Sequence, residues 1–354
     1  MRALVTGANG LIGANLVREL LRDAVDVRGL VRHDSDLSAL RGIEIELHRG
    51  DVTKDPTALI IAARDCDLIF HTAMHFSYES RRYDEINAAA TLGTENVLRA
   101  ARAANVGRVV VTSSSVVFGH SLSRLVRNES SPAVDEADNV YVEAKKRQHR
   151  LALGFGEALG LDVVAVCPTV SVGPFSTALG PSNGHILAYL ADPYQLSYPG
   201  GCNIVSTADI ATGHWLAARH GVRGAHYILG AENLEWREFH GLVADLAGVE
   251  APRFNLNHGL SYLAATAEEI RARMTHRAPL SNRAQAKMVG RYYWYDHSLA
   301  ADALGYQPRS ARRALAEALS WLVASRHVSR ELRARLRLHE DVYAGRYPIP
   351  PNSR

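Results

Sequence analysis

Short apolar runs alternate with amphipathic segments over the first half of the chain. The first run, Ala3 to Val5, leads into a glycine-rich turn, and apolar residues then recur at helical spacing from Leu16 to Leu21. Strands are predicted from five further runs, at 25–32, 43–49, 67–73, 108–115 and 163–167. Strands that alternate with helical segments predict an α/β fold with a doubly wound parallel sheet of the Rossmann type.

The turn after the first strand carries glycine at every third position: Gly7, Gly10 and Gly13. The common dinucleotide motif is Gly-x-Gly-x-x-Gly, so this spacing departs from it. Gly7 permits a tight turn, Gly10 a close approach to a pyrophosphate, and Gly13 close packing of helix on strand. The pattern predicts a phosphate site at a helix amino end. The alternative is a strand-to-helix turn without a ligand.

The end of the second strand bears on the choice of cofactor. An acidic residue at this place selects NAD, whereas an arginine accommodates the 2′-phosphate of NADP. Val31 and Arg32 stand there, so NADP(H) is favoured and NAD(H) stays possible. The alternative is that Arg32 is a solvated loop residue.

The next two strands also end in residues suited to a ligand. Asp51 and Val52 follow the third strand, and a carboxylate there can bond the adenine amino group. Thr72 and Ala73 close the fourth strand, where small side chains let the backbone run close to a ligand. Both segments are predicted at the carboxyl edge of the sheet, where such folds bind ligands.

A serine cluster ends the fifth strand, and a Tyr-x-x-x-Lys pair follows on a predicted helix. Ser113, Ser114 and Ser115 can serve as caps or as ligands of a reacting group. Tyr141 and Lys145 are four residues apart, which puts them on one helix face. Because the chain has only four lysines, a chance pair is improbable, and the alternative is a surface pair on a solvated helix.

The glycine motif, the serine strand and Tyr-x-x-x-Lys, in this order, resemble the extended short-chain dehydrogenase/reductase superfamily from residue 2 to about residue 325. The resemblance implies Ser114, Tyr141 and Lys145 as catalytic residues, with Ser113 and Ser115 left open for the serine role. It implies these cofactor-binding residues: Gly7, Asn9, Gly10, Leu11, Ile12, Gly13, Arg32, Asp51, Val52, Thr72, Ala73, Tyr141, Lys145, Pro168 and Thr169.

The resemblance also implies the chemistry. Tyr141 gives a proton to a carbonyl that accepts hydride, and Ser114 donates a hydrogen bond to the same oxygen. The Lys145 ammonium is expected to lower the pKa of the Tyr141 phenol and to bond the nicotinamide ribose. Pro168 and Thr169 are expected near the nicotinamide carboxamide.

One position departs from many relatives. They carry asparagine three residues before the Gly-Thr that matches Gly93 and Thr94, whereas this chain has Ala90, with Asn87 a turn earlier. The substitution predicts either a different means of holding this region or a locally shifted helix.

Two positions bear on the substrate. Nucleotide-sugar enzymes of the superfamily carry an asparagine and an arginine that bind the diphosphate, and Val170 and Cys202 stand at those places here. Pro168, Thr169 and Val170, together with the second strand that ends in Arg32, instead resemble the dihydroflavonol reductase-like branch, which implies NADPH-dependent reduction of a small-molecule ketone or aldehyde. The alternatives are a sugar or nucleotide-sugar epimerase or dehydratase that retains NAD(P), and a non-catalytic NADP-binding regulator.

The motifs divide the chain into a dinucleotide-binding domain and a smaller C-terminal substrate-binding lobe. The domain is predicted at 1–172, completed by about 203–232. The lobe is predicted at 173–202 and 233–325, and 326–354 is an arginine-rich helix and tail that docks on the protein's own surface or across a dimer. A homodimer is expected by analogy with relatives.

The composition limits the classes of binding partner that we expect for this chain. A net charge of +3 gives no support for nucleic acid, and no apolar run has the length of a membrane span. Three scattered cysteines, Cys66, Cys167 and Cys202, predict reduced thiols without a metal site. Together with the absence of a basic-then-apolar leader, they predict a cytoplasmic protein.

Overall fold

The computed structural model describes residues 1–74, 83–132, 134, 139–256, 259, 263, 266–267, 271, 274 and 288–344. The strands are β1 Arg2–Thr6, β2 Asp26–Val31, β3 Glu46–Arg49, β4 Leu68–His71, β5 Arg108–Thr112, β6 Val163–Pro168, β7 Val170–Val172, β8 Leu196–Ser197, β9 Gly201–Ser206, β10 His226–Leu229, β11 Glu232–Glu235, β12 Phe254–Asn255 and β13 Tyr292–Tyr293. The helices are α1 Leu11–Arg22, α2 Pro56–Ala63, α3 Tyr83–Ala88, α4 Thr94–Ala103, α5 Val140–Ala158, α6 Pro181–Ala191, α7 Thr207–His220, α8 Trp236–Ala247, α9 Ser298–Leu304, α10 Ala311–Ala324, α11 Arg330–Arg335 and α12 Glu340–Ala344.

Seven strands form one parallel sheet in the order β10-β6-β5-β4-β1-β2-β3. Val109, Val110 and Val111 of β5 are completely buried, as expected for a strand covered on both faces. The chain reverses its direction of winding between β3 and β4, so the carboxyl ends of β1 and β4 form the switch point where ligands of such sheets bind. The predicted doubly wound α/β fold is confirmed.

Two helical layers cover this sheet. On one face, Leu16 of α1 and Ile210 of α7 are buried in a common apolar cluster. On the other face, Leu59 of α2, Leu98 of α4 and Ala152 of α5 form a second cluster. Each of these helices is apolar along the stripe that meets the sheet, which is the pattern that the sequence shows.

A second, smaller sheet supports the other half of the molecule. Its strand β9 pairs with β7 and β13 in parallel and with β11 antiparallel. Helices α6, α8 and α10 pack around it, with Tyr189, Phe239 and Leu315 buried among them. Strands from both sides of the expected boundaries at 172 and 203 thus contribute to this sheet, and the division into domains stays a prediction.

A buried ion-pair network ties this half to the main sheet. Asp209 on α7 accepts hydrogen bonds from the backbone N–H and the Nε of Arg309, and Arg309 also pairs with Glu317 at 2.8 Å. Because burial raises the pKa of Asp209 while Arg309 acts in the opposite direction, the arginine offsets the cost of the buried carboxylate. Arg309 thereby joins Asp209 on α7 to Glu317 on α10.

The C-terminal segment differs in part from its prediction. Two short helices, α11 and α12, replace the single expected helix, because residues 337–339 leave the helix and hydrogen-bond the end of α8 through Arg337 N and His339 N. Leu336 and Val342 are buried in the core of the smaller half, so the described part of this segment packs on the protein's own surface. The tail at 345–354 lies outside the described residues.

Four further predictions can be compared with the structure. The third strand is shorter than expected, since it begins at Glu46 rather than Ile43. A π-helical turn at Ala89–Gly93 shifts the helix between α3 and α4, as the missing asparagine at Ala90 predicts. All three cysteines are buried free thiols. Across the described residues, no helix combines the length and the apolar character that a membrane crossing requires.

Buried histidines predict that the fold weakens in mild acid. Burial lowers the pKa of His214 to about 4, and the same cause acts on His71, His149, His185 and His240. In the unfolded chain these rings bind protons near pH 6.5, so the unfolded state takes up more protons between about pH 6.5 and 4. The free energy of unfolding should therefore fall as pH falls through this window.

Urea unfolding at several pH values tests this expectation. The His214→Gln variant removes one titrating ring and should reduce the slope of free energy against pH by about 1.4 kcal/mol per pH unit within the window. The matched control is His220→Gln at an exposed position of the same helix, which should keep the wild-type slope. A wild-type free energy that is constant from pH 6.5 to 4 would contradict the explanation.

Candidate active site

The turn after β1 brings three backbone segments unusually close together. Gly7 has a φ of +71° and donates its N–H to the Leu30 carbonyl at 2.9 Å. A Cβ at Gly7 would lie 2.8 Å from the Cα of Ala73, and a Cβ at Gly13 would overlap the Gly7 carbonyl. Only glycine fits at these two positions, as the sequence predicts.

The start of α1 is built to receive an anion. Gly10 is its N-cap, so no side chain caps the first N–H groups of this helix. Gly10, Leu11, Ile12 and Gly13 line a cavity at the carboxyl edge of the main sheet. Uncapped N–H groups and the positive end of the helix dipole favour a phosphate at this place. A nicotinamide dinucleotide fits this cradle, because the glycines leave room for its pyrophosphate.

The same cavity brings together most of the residues that the sequence singled out. Ten line it: Gly10, Leu11, Ile12, Gly13, Thr72, Ser114, Tyr141, Lys145, Pro168 and Thr169. Six do not: Gly7, Asn9, Arg32, Asp51, Val52 and Ala73. Gly7 and Ala73 nevertheless shape it from behind, since they contact one another beneath the turn.

Tyr141 is placed by the cap of its helix. The side chain of Asn139 accepts hydrogen bonds from the backbone N–H groups of Tyr141 and Val142, both at 3.1 Å, which starts α5 at this point. Tyr141 is buried, and its phenol forms a hydrogen bond with the side chain of Ser114. The first turn of α5 therefore holds the phenol against the end of β5.

The expected lowering of the phenol's pKa by lysine is not found. Burial raises the pKa of Tyr141 to about 12, and the hydrogen bond from Ser114 is what acts in the opposite direction. Desolvation disfavours the phenolate more than its neighbours favour it. At neutral pH Tyr141 is therefore a phenol that carries its proton.

Lys145 is one turn further along α5 and is buried as well. Its Nζ donates to the Thr112 carbonyl at 2.9 Å and to Gln148 Oε1 at 2.7 Å. Burial lowers the pKa of Lys145 to about 7. The ammonium is thus much more acidic than an exposed lysine, and it is held by neutral oxygen atoms.

The three serines at the end of β5 have different partners. Ser113 Oγ is 2.9 Å from His149 Nδ1, and Ser115 begins a 3₁₀ turn that runs to Phe118. Ser114 is the one that bonds the Tyr141 phenol. All three line the cavity, but this contact favours Ser114 among the alternatives that the sequence leaves open.

Thr169 presents lone pairs to the cavity. Its hydroxyl donates to Asn203 Oδ1 at 2.8 Å, and the same oxygen accepts the backbone N–H of Ala231. Since its proton is used by Asn203, the Thr169 oxygen can only accept a hydrogen bond from a ligand. The amide N–H group of a nicotinamide carboxamide is a donor of this kind.

The predicted residues outside the cavity have other contacts. Asn9 donates through Nδ2 to the Asp36 carbonyl, and Asp51 accepts the backbone N–H and the hydroxyl of Thr53 at 2.8 and 2.6 Å. Burial acts to raise the pKa of Asp51, but the bonds from Thr53 outweigh it and the pKa is lowered. The side chain of Arg32 is exposed at the end of β2.

The far side of the cavity is mainly apolar. Its wall is formed by Val170, Ser171, Pro181, Ser182, His185, Cys202, Trp236, Met288, Tyr293 and Tyr295. The His185 ring lies 4.8 Å from that of Trp236, and burial lowers its pKa to about 4, so it is neutral at pH 7. Among the cavity-lining residues that the structure describes, Lys145 is the only one whose pKa, lowered by burial to about 7, lets it carry a charge near that pH.

Sequence reasoning missed three functional positions. Gln148 stands three residues after Lys145, a spacing that could have flagged it as a neighbour on the same helix face. Asn203 orients Thr169, and Trp236 lines the cavity from α8, but both lie far from the motif residues in sequence.

Comparison with known proteins finds relatives that match most of the chain. A putative dihydroflavonol 4-reductase of Synechocystis sp. is 32% identical over 323 residues, which are 90% of this chain and 93% of that protein. Sterol demethylase protein B of Methylococcus capsulatus is 30% identical over 327 residues, 91% of this chain and 98% of that protein. The crystal structure of gox2253 has a TM-score of 0.80 at 30% identity, with 92% of this chain and 99% of that chain covered.

The family comparison agrees with the fold and with the cavity at its switch point. The sequence model of the NAD dependent epimerase/dehydratase family matches residues 3–230, which is more than half of the chain. This match includes the glycine turn, the serine strand, Tyr141 and Lys145. The chain belongs to the NAD-dependent epimerase/dehydratase family.

Proposed function

We propose that this protein is an NADPH-dependent reductase that converts a ketone or aldehyde of a neutral, largely apolar small molecule into an alcohol. The observation that carries the proposal is the composition of one cavity. The phenol of Tyr141, bonded to Ser114, lies in the same cavity as the uncapped start of α1 and an apolar wall with neutral side chains. A cofactor phosphate suits the start of α1, and a neutral carbonyl compound suits the apolar wall.

The roles of the residues follow from their protonation. Tyr141 holds its proton at neutral pH and can give it to the carbonyl oxygen as negative charge develops there. The Ser114 hydroxyl has a single proton, which is donated to the phenol in the free site and would be donated to the carbonyl oxygen once the substrate is bound. The bound nicotinamide cofactor supplies the hydride. Lys145 would hold the cofactor ribose.

The apolar wall is evidence against a nucleotide sugar as substrate. Val170 and Cys202, at the two places where related sugar-nucleotide enzymes carry diphosphate anchors, both line the cavity. Neither side chain can pair with a phosphate, and an unpaired buried charge costs much affinity. A cofactor that co-purifies and never exchanges would favour the epimerase or dehydratase alternative instead.

The presence of a proton donor, Tyr141, is evidence against a purely regulatory protein. A sensor of cofactor binding needs the phosphate cradle but has no need of the Ser114–Tyr141 hydrogen bond. Tight NADPH binding without turnover of any compound in a broad carbonyl screen would favour the regulatory alternative. The homodimer expected from the resemblance stays a prediction, for which light scattering of the purified protein is the measurement.

The Tyr141→Phe variant should lose nearly all reductase activity. Removal of the phenol hydroxyl eliminates the general acid but leaves the ring, so kcat should fall about 10²- to 10⁴-fold. The dissociation constant for NADPH, measured by fluorescence titration, should change by no more than about twofold, because the hydroxyl adds little to cofactor affinity.

The matched control is Tyr227→Phe, which removes the hydroxyl of a buried tyrosine that bonds the Val222 N–H outside the cavity. It should leave kcat unchanged. If Tyr141→Phe keeps full activity, Tyr141 is not the proton donor and the mechanism is wrong.

Arg32 should decide the cofactor preference. The Arg32→Ala variant removes the guanidinium that we expect to pair with the 2′-phosphate, so kcat/KM for NADPH should fall about 10- to 100-fold. The value for NADH should stay the same, because NADH lacks this phosphate. Steady-state kinetics with both cofactors give the measurement, and Arg102→Ala, at an exposed position of α4, is the control. Equal use of both cofactors by the wild type would refute the preference.

A further inference from the structure

The hydrogen bonds of Lys145 are unusual for a buried cation, and the proposed mechanism does not explain them. Buried cations in proteins are normally paired with a carboxylate. Among the described residues, the partners of Lys145 Nζ are instead the Thr112 carbonyl and the amide oxygen of Gln148. The contact with Gln148, at 2.7 Å, is the shorter of the two and comes from a side chain.

The orientation of the Gln148 amide is determined by both of its ends. An ammonium can only donate, so the atom that faces Lys145 must be the amide oxygen. The amide nitrogen then donates to Thr94 Oγ1 at 3.0 Å. Thr94 is in turn 3.1 Å from His71 Nε2, and His71 Nδ1 is 2.9 Å from Thr6 Oγ1. Gln148 is thus held in one orientation by a buried chain that ends on β1.

This chain is completely enclosed by the fold. Gln148, Thr94, His71 and Thr6 are each at most 1% exposed. Thr94 reaches Gln148 from the start of α4, directly after the π-helical turn at Ala89–Gly93. The segment around Ala90, in which the sequence departs from many relatives, therefore leads directly into Thr94, whose hydroxyl oxygen accepts the hydrogen bond from Gln148.

The titratable groups that face Lys145 are all neutral at pH 7. Burial raises the pKa of Tyr141 on the same helix and of Cys167 on β6 to about 12. It lowers the pKa of His71 on β4 to about 3 and that of His149 on α5 to about 4, and the charge of Lys145 adds to both shifts. Glu143 pairs with Arg147 on the half-exposed side of α5. The Cys167 thiol acts to raise the pKa of Lys145, but burial outweighs this effect. Because that thiol is itself neutral at pH 7, the neutral oxygen atoms of Thr112 and Gln148 are what hold the ammonium there.

We propose that Gln148 is a positioning residue, whose amide oxygen holds the Lys145 side chain in place as an ammonium within the active site. The effect that Gln148 should have on turnover rests on the reductase function proposed above. Its effect on Lys145 does not, because it follows from the hydrogen bonds alone. A carboxylate at position 148 should hold the proton on Lys145 more strongly, and an apolar side chain of similar shape should release it.

The pKa of Lys145 can be measured without a substrate. The chain has four lysines, so a protein with isotope-labelled lysine gives few side-chain NMR signals, and Lys145→Arg assigns the one of interest. In Gln148→Glu the pKa of Lys145 should rise by about 1 to 3, and in Gln148→Met it should fall by about 1. Opposite directions are expected, since the first variant adds a counter-charge and the second removes a hydrogen bond.

Kinetics with a carbonyl substrate provide the second measurement. The limb on which kcat falls with rising pH should move to higher pH in Gln148→Glu and to lower pH in Gln148→Met, with KM for the carbonyl compound little changed. Gln307→Glu and Gln307→Met make the same replacements at an exposed position and should change neither the NMR signal nor the profile. If Gln148→Met does not fold, Gln148→Asn keeps the amide but shortens its reach, and should lower the pKa of Lys145 by a smaller amount.

The two proposals can fail separately. If the pKa of Lys145 stays the same in the Gln148 variants, or moves in one direction in all of them, the role of Gln148 is wrong even if the protein reduces carbonyl compounds. If the pKa moves in opposite directions but no carbonyl compound is reduced, Gln148 positions Lys145 as proposed and the reductase function is wrong.

Discussion

The close approach of backbone segments at the glycine turn is the constraint on which the rest of the site depends. A side chain at Gly13 would collide with the Gly7 carbonyl and with Thr72 Oγ1, and one at Gly7 would collide with Ala73. Because these contacts bring the start of α1 to the carboxyl edge of β1 and β4, its uncapped N–H groups open into the cavity that also holds Tyr141. A bulkier turn would separate the start of α1 from the Tyr141 phenol.

The second constraint is burial, which controls the protonation of the whole site. Tyr141, Lys145 and His185 are all enclosed, and in each of them desolvation favours the neutral form. The result is a cavity in which one lysine carries the available positive charge. Such a site suits a neutral carbonyl compound, because the charge that develops on its oxygen in the transition state meets donors in a medium of low dielectric.

The candidate site was predictable wherever a residue's role depends on a short motif. Gly7, Gly13, Tyr141 and Lys145 are found where their spacing predicts, and the doubly wound sheet follows from the alternation of apolar runs. The predicted effect of Lys145 on Tyr141 was wrong, because spacing on a helix says nothing about how much water the pair retains. Arg32 as the determinant of cofactor choice stays a prediction, since its exposed side chain does not line the cavity.

The sequence by itself therefore determined the order of strands and helices, the phosphate turn and the pair on α5, because each rests on contacts between residues close together in the chain. Only the tertiary structure decided that Gln148 supports Lys145, that Asn203 turns Thr169 into an acceptor, and that Val170 and Cys202 share one apolar wall. These relations join residues from separate strands and helices or depend on burial, and both arise only when the sheet and its helices pack into one fold.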